Sequence, residues 1–116
     1  MKILFILNDA PYGSERTYNA LRLAGALARA ADNEVRVFLM GDAALAGKTG
    51  QKVSEGFYNI QLMLDRVVRH KGQVGICGTC MDARGISETE LSQGIHRGSL
   101  DELAAWTQSA DKVLIY

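Results

Sequence analysis

An uninterrupted apolar run, Ile3-Leu4-Phe5-Ile6-Leu7, constrains the fold of this chain more than any other feature. A strand with one wet face alternates apolar and polar side chains. A run that is apolar at every position belongs to a strand covered on both sides, as in parallel sheets flanked by helices. Residues 34–40, 74–77 and 112–115 repeat the theme of short strand-like segments. Gly75, inside residues 74–77, predicts a close approach by a neighbouring element.

Longer segments with helical spacing lie between these runs. Over residues 15–31, Ala20, Leu23, Ala24, Leu27 and Ala31 make one apolar stripe, with Arg22 and Arg29 on an outer face. Ser14 reads as the N-cap of that helix. Over 58–71, Ile60, Met63, Leu64 and Val67 make a second stripe, and Gly72 reads as its C-cap. Asp42 opens a short helical turn closed by Gly47, and 47–56 is a polar, glycine-rich loop. Thr79 and Asp82 have the spacing of a capping pair for a short helix that Gly85 would end. Ser99 and Glu102 have the same spacing and open a helix to about Ser109. Residues 87–98 are ambiguous: Ser87 and Glu90 fit a capping box, but Gly94 and Gly98 interrupt any long helix. Strands alternating with helices predict a single-domain α/β fold over residues 1–116. It is a doubly wound, mostly parallel sheet with helices on both faces. A chain of 116 residues can bury a real core without staples.

The charge balance excludes one large class of partner. Lys plus Arg number 13, Asp plus Glu number 13, and the net charge is zero, so the basic footprint of a nucleic-acid binder is missing. No apolar run reaches the length a membrane span needs. The first residues are too short a hydrophobic stretch for a signal peptide, which leads to the expectation of a cytoplasmic location. Hydrophobic residues at 47% are slightly in excess, as expected if some surface is buried in an assembly.

The two cysteines, Cys77 and Cys80, fall together in Cys77-Gly78-Thr79-Cys80, where the third strand ends and a short helix begins. Thiols stay reduced in a reducing compartment, so a close pair there reads as catalytic or metal-binding rather than as a structural disulfide. Zinc wants about four ligands, and His70 and His96 sit on separate elements without ligand spacing, so each reads as a solvated surface histidine. With Thr79 as cap, the amides of Cys80, Met81 and Asp82 would face an anion such as a thiolate or persulfide on Cys77. Arg84 and Arg97 are candidate cationic partners. Ligands of such sheets bind beyond the carboxyl ends of the strands, an edge that should gather Asn8, Asp9, Tyr12, Gly41, Asp42 and Cys77. The loop Asn8-Asp9-Ala10-Pro11-Tyr12-Gly13-Ser14 matches neither common glycine-rich nucleotide pattern. The candidate site is therefore Cys77 and Cys80 as reacting thiols, with Asn8, Asp9, Tyr12, Gly78, Thr79 and Arg84 as binding residues. The competing reading is that both cysteines are small buried hydrophobes.

The segment Ile76-Cys77-Gly78-Thr79-Cys80-Met81-Asp82-Ala83-Arg84-Gly85-Ile86 resembles the cysteine motif of the DsrE/DsrF-like sulfur-relay family, and within it the YchN-type branch. The resemblance extends over Ala10-Pro11-Tyr12-Gly13-Ser14-Glu15, Phe38-Leu39-Met40, Gly50-Gln51-Lys52, Tyr58-Asn59-Ile60-Gln61 and Trp106-Thr107-Gln108-Ser109-Ala110-Asp111-Lys112-Val113-Leu114. It implies a five-stranded, largely parallel domain that assembles into homo-oligomers, commonly trimers or hexamers. In relay members related to TusD, the sulfur-handling cysteine follows the strand and precedes the short helix, the place Cys77 holds here. Those members generally lack a counterpart of Cys80, which the YchN-type branch has. The resemblance implies a sulfur-relay role, with donor and acceptor proteins as partners and no metal or organic cofactor. Two alternatives stand beside it: a thiol–disulfide oxidoreductase using both cysteines, and a non-enzymatic oligomeric binding module.

Overall fold

The computed structural model describes residues 1–116. Its strands are β1 (Lys2–Leu7), β2 (Glu34–Leu39), β3 (Gln73–Cys77), β4 (Ile95–Gly98) and β5 (Lys112–Ile115), and they form one sheet in the order β4-β3-β2-β1-β5. Every pairing is parallel. The helices are α1 (Arg16–Ala28), α2 (Ile60–Arg69), α3 (Gly78–Ala83) and α4 (Leu100–Ser109), with 3₁₀ turns at Gly41–Gly47 and Glu88–Glu90.

The apolar runs are explained by two cores of unequal size. On one face, Ile3, Phe5, Leu7, Val35, Val37, Leu39, Val74 and Ile76 pack with Ala20, Leu21 and Ala24 of α1 and Ile60, Leu64 and Val67 of α2. On the other, Leu4 and Phe38 pack with Leu103 and Trp106 of α4, flanked by Ile6, Met40 and Cys77. β1 is therefore buried on both sides, as its unbroken hydrophobicity requires. The second face has only α4 to cover it. Val113 and Ile115 of β5 remain exposed, the latter at 68%.

Gly75 and Gly98 let α4 approach. A Cβ at Gly75 would lie 3.0 Å from Glu102 Oε1 and 3.1 Å from His96 Nε2, and one at Gly98 would lie 2.6 Å from Glu102 Oε1. The close packing expected at Gly75 is thus found. His96 is exposed, as expected of a surface histidine, but it has partners: its Nε2 meets Glu102 Oε1 at 2.7 Å, and its ring stands edge-on to Trp106.

Several local expectations are corrected. Residues 95–98, ambiguous in the sequence, form strand β4; the Ser87–Glu90 capping box is real and opens the 3₁₀ turn before it. α1 starts at Arg16 with Glu15 as N-cap, while Ser14 Oγ accepts from the Arg16 N–H at 3.3 Å and binds Asp9. Its buried stripe is Thr17, Ala20, Leu21, Ala24 and Ala28; Leu23 is exposed and Ala31 lies beyond the helix. After α2 the left-handed residue is Lys71 (φ 65), not Gly72. Gly72 is needed for another reason: a Cβ there would lie 2.8 Å from the Val67 carbonyl oxygen and 3.0 Å from that of Val35. Asp42 caps nothing; it sits in the first turn after Met40 and pairs with Arg84.

Candidate thiol site

β3 delivers Cys77 to the carboxyl edge of the sheet, between the ends of β2 and β4. The chain turns there directly into α3, and the cap is Cys77 itself rather than Thr79. Its sulfur accepts the Cys80 N–H at 3.3 Å, the role that a Ser, Asp or Asn oxygen fills at most helix starts. The Thr79 hydroxyl lies 3.3 Å from the same sulfur. Cys77 is half-buried, so the sulfur is neither sealed in the core nor free in solvent.

Burial pushes the Cys77 thiol up. Hydrogen bonds from the Cys80 thiol, the Thr79 hydroxyl and the backbone N–H groups of Cys80 and Thr79 outweigh that effect and hold it below the ordinary thiol value. Cys80 shifts the other way. Burial and its hydrogen bond to Cys77 push it up, and the charge on Cys77 adds to this, while the Gly41 N–H and Arg84 act in opposition. The pair thus places negative charge on the first sulfur and the remaining proton on the second.

Neighbouring elements complete the surroundings. Gly41, which opens the 3₁₀ turn after β2 with φ 55, donates its N–H to Cys80 Sγ at 3.2 Å. Arg84 reaches back with Nη1 to the Cys80 carbonyl at 3.0 Å and holds Asp42 Oδ1 through Nε and Nη2 at 3.0 and 2.8 Å. Arg97 of β4 grips both oxygens of Asp82, at 2.8 and 2.9 Å, and its guanidinium lies 2.9 Å from where a Gly78 Cβ would be. Its charge interacts with that of Cys77. Asp82 is held below the usual carboxylate range chiefly by this hydrogen-bonded guanidinium.

The expected binding residues divide into two groups. Gly78, Thr79 and Arg84 surround the thiols as described. Asn8 belongs at the same edge: it binds the Tyr116 carbonyl through its side chain at 3.0 Å, and its own carbonyl lies beside Gly41. Asp9 and Tyr12 instead organise the loop before α1. Asp9 holds Ser14 at 2.8 Å and accepts the Thr17 hydroxyl on its carbonyl. Tyr12 donates to Gln51 Oε1 at 2.6 Å, accepts the Ile60 N–H at 3.0 Å and stacks on Tyr58. Two further groups belong to the site beyond the expected binding residues: Arg97, a candidate cation in the sequence, and the Gly41 amide on the Cys80 sulfur. The clue to Arg97 was its two-residue spacing from Ile95, which is a strand period.

Fold and site together define a small parallel α/β protein with an ionisable cysteine pair at a strand-to-helix junction. The chain belongs to the DsrE/DsrF-like family, whose pattern matches residues 1–116. It is 52% identical to Protein YchN of Escherichia coli K12 over 116 residues, covering 99% of this chain and 98% of that one. It is 34% identical to an uncharacterized protein of Methanopyrus kandleri over 98% of this chain and 93% of the other. The crystal structure of the YchN protein from E. coli superposes with a TM-score of 0.94 at 51% identity, covering 99% and 98% of the two chains. A protein of unknown function from Methanobacterium thermoautotrophicum shares the fold, with a TM-score of 0.77 at 9% identity over 99% and 98% of the two chains.

Proposed function

We propose that this protein carries sulfur: Cys77 takes the outer sulfur of a donor persulfide and passes it to an acceptor protein. The observation behind this reading is the capping of α3 by Cys77 Sγ, which receives the Cys80 N–H and the Thr79 hydroxyl while staying half-exposed. A thiolate is the nucleophile in sulfur exchange, and donors that stabilise it at neutral pH prepare it for attack. The thiolate attacks the outer sulfur of the donor persulfide, that S–S bond breaks, and the donor leaves as its thiolate. Transfer onward repeats the step with Cys77 as leaving group. Neither step needs a metal or an organic cofactor. Membership in a family associated with sulfur relay supports the same reading.

The test is incubation with a cysteine desulfurase and L-cysteine, followed by trapping of persulfides and mass spectrometry. The wild type gains sulfur on the peptide carrying Cys77, and Cys77→Ser does not; equal gain by both rejects the reading. A second reading, thiol–disulfide exchange by the pair, draws on the placement of both free cysteines on one helix start, where the Cys80 N–H donates to Cys77 Sγ at 3.3 Å. A titration that yields no internal disulfide at any potential rules it out.

The exposed Val113 and Ile115 of β5 are compatible with a homo-oligomer, for which the family resemblance implies a trimer or hexamer; light scattering after size exclusion measures this directly. No helix is long and apolar enough to cross a membrane. The free cysteine pair suits a reducing compartment, and we place the protein in the cytoplasm on that basis.

A further inference from the structure

Cys80 has a binding site of its own, built by residues distant in sequence. The Gly41 amide, 39 positions away in the turn after β2, donates to its sulfur at 3.2 Å. Gly41 takes a left-handed conformation (φ 55) that side chains adopt rarely. Arg84 is fastened by Asp42 and by the Cys80 carbonyl, and its charge favours an ionised Cys80. A cysteine that served only as packing would need neither an amide on its sulfur nor a fixed guanidinium beside it. On the other side, Cys80 lies three residues from Cys77, on the first turn of the helix that Cys77 caps, and its own N–H already points at the Cys77 sulfur.

We propose that Cys80 discharges sulfur from a loaded Cys77, making the protein a source of free sulfide when no acceptor collects its cargo. The proposal rests on Cys77 as the loaded thiol. The Cys80 thiolate attacks the Sγ of the Cys77 persulfide. A Cys77–Cys80 disulfide forms, the bond to the outer sulfur breaks, and that sulfur leaves as hydrosulfide. The persulfide sulfur is reduced to sulfide and the two cysteines supply the electrons, so no outside reductant enters this step. A thiol reductant then restores the dithiol.

Loading favours this step. In the free pair the charge on Cys77 raises Cys80, while the Gly41 amide and Arg84 oppose it. Once Cys77 Sγ bears a second sulfur, the charge moves to that outer sulfur, one bond further on, and Sγ becomes the electrophile, while the Gly41 amide and the Arg84 charge still favour an ionised Cys80. The proton that Cys80 gives up passes to the outer sulfur, which therefore leaves as hydrosulfide.

The test uses the reduced full-length protein, loaded anaerobically with a brief pulse of inorganic polysulfide and then desalted. Intact mass and released sulfide are followed together. Wild type is expected to lose the mass of the added sulfur and of two hydrogens while releasing one sulfide per chain. Cys80→Ser is expected to keep the added sulfur and release none until a reductant is supplied. Arg84→Gln, which leaves both cysteines in place, is expected to discharge more slowly than wild type. Wild type that holds its sulfur as long as Cys80→Ser overturns the discharge role and leaves the carrier reading intact. If no variant with Cys77 takes up sulfur, both readings fall.

Discussion

Arg97 grips Asp82 with two parallel hydrogen bonds of 2.8 and 2.9 Å, tying the edge strand β4 to the short helix that carries Cys80. The guanidinium passes directly over Gly78, at 2.9 Å from a notional Cβ. A methyl group there has to displace Arg97, since the backbone cannot move without unseating Cys77. Gly78→Ala should therefore release the Asp82 contact and loosen α3. The expected result is faster hydrogen exchange at the amides of α3, with the sheet amides unchanged. Unchanged exchange in α3 would show that Arg97 adapts without cost.

The two cysteines should titrate apart. In single-cysteine peptides from one digest, iodoacetamide should modify Cys77 at a lower pH than an ordinary thiol and Cys80 at a higher one. The signs carry over to stability. Cys77 releases its proton more readily when folded, so between its folded and unfolded values the folded chain holds fewer protons and stability rises with pH. That contribution is lost as pH falls through the folded value. Cys80 acts oppositely: its contribution is lost as pH rises through its raised value. Coincident alkylation profiles would contradict this account.

Thr79→Val keeps the size of the side chain and removes the hydroxyl beside the Cys77 sulfur. The alkylation midpoint of Cys77 should move up toward that of an ordinary thiol, while Thr79→Ser should retain the wild-type profile. Because Thr79 is exposed, folding stability should stay within about 0.5 kcal/mol. A midpoint indifferent to Val would assign the whole effect to the backbone donors.

Phe38 is the buried hinge of the smaller core, with Trp106 standing edge-on to its ring at 5.9 Å. Phe38→Ala should cost about 3–5 kcal/mol in chemical denaturation. Trp106 is the single tryptophan, so its emission reports this face alone. A red shift should accompany the loss of stability; an unmoved spectrum would mean that α4 collapses onto the gap.

Gly72→Ala tests a different kind of crowding. The new methyl meets two carbonyl oxygens, which cannot rotate away as a side chain does. The expected loss is about 1–3 kcal/mol, read as a lower denaturation midpoint at unchanged slope.

The strands and helices most legible in the sequence are those whose burial leaves a continuous or periodic apolar record. β1 and β2 are covered by helices, and β3 carries its glycine where α4 comes close. β4 was missed because Ile95-His96-Arg97-Gly98 lies at an edge with only one deeply buried side chain. The α1 stripe was read in the wrong phase because alanines and leucines crowd several faces of that helix. Packing against the sheet and α2, not local pattern, selects Leu21 over Leu23. The thiol junction was legible by position, but its cap was not. Capping rules look for oxygen, and here a sulfur takes the bond. The Gly41 donor comes from 39 residues away and leaves no local trace.

Both margins of the sheet are strands of only four residues, and they carry His96, Arg97 and Lys112. Edges this short offer another chain little hydrogen-bonded ladder to extend. Association of copies would then draw on faces of the sheet and helices, and the end of β3 that carries Cys77 would stay open to a visiting protein.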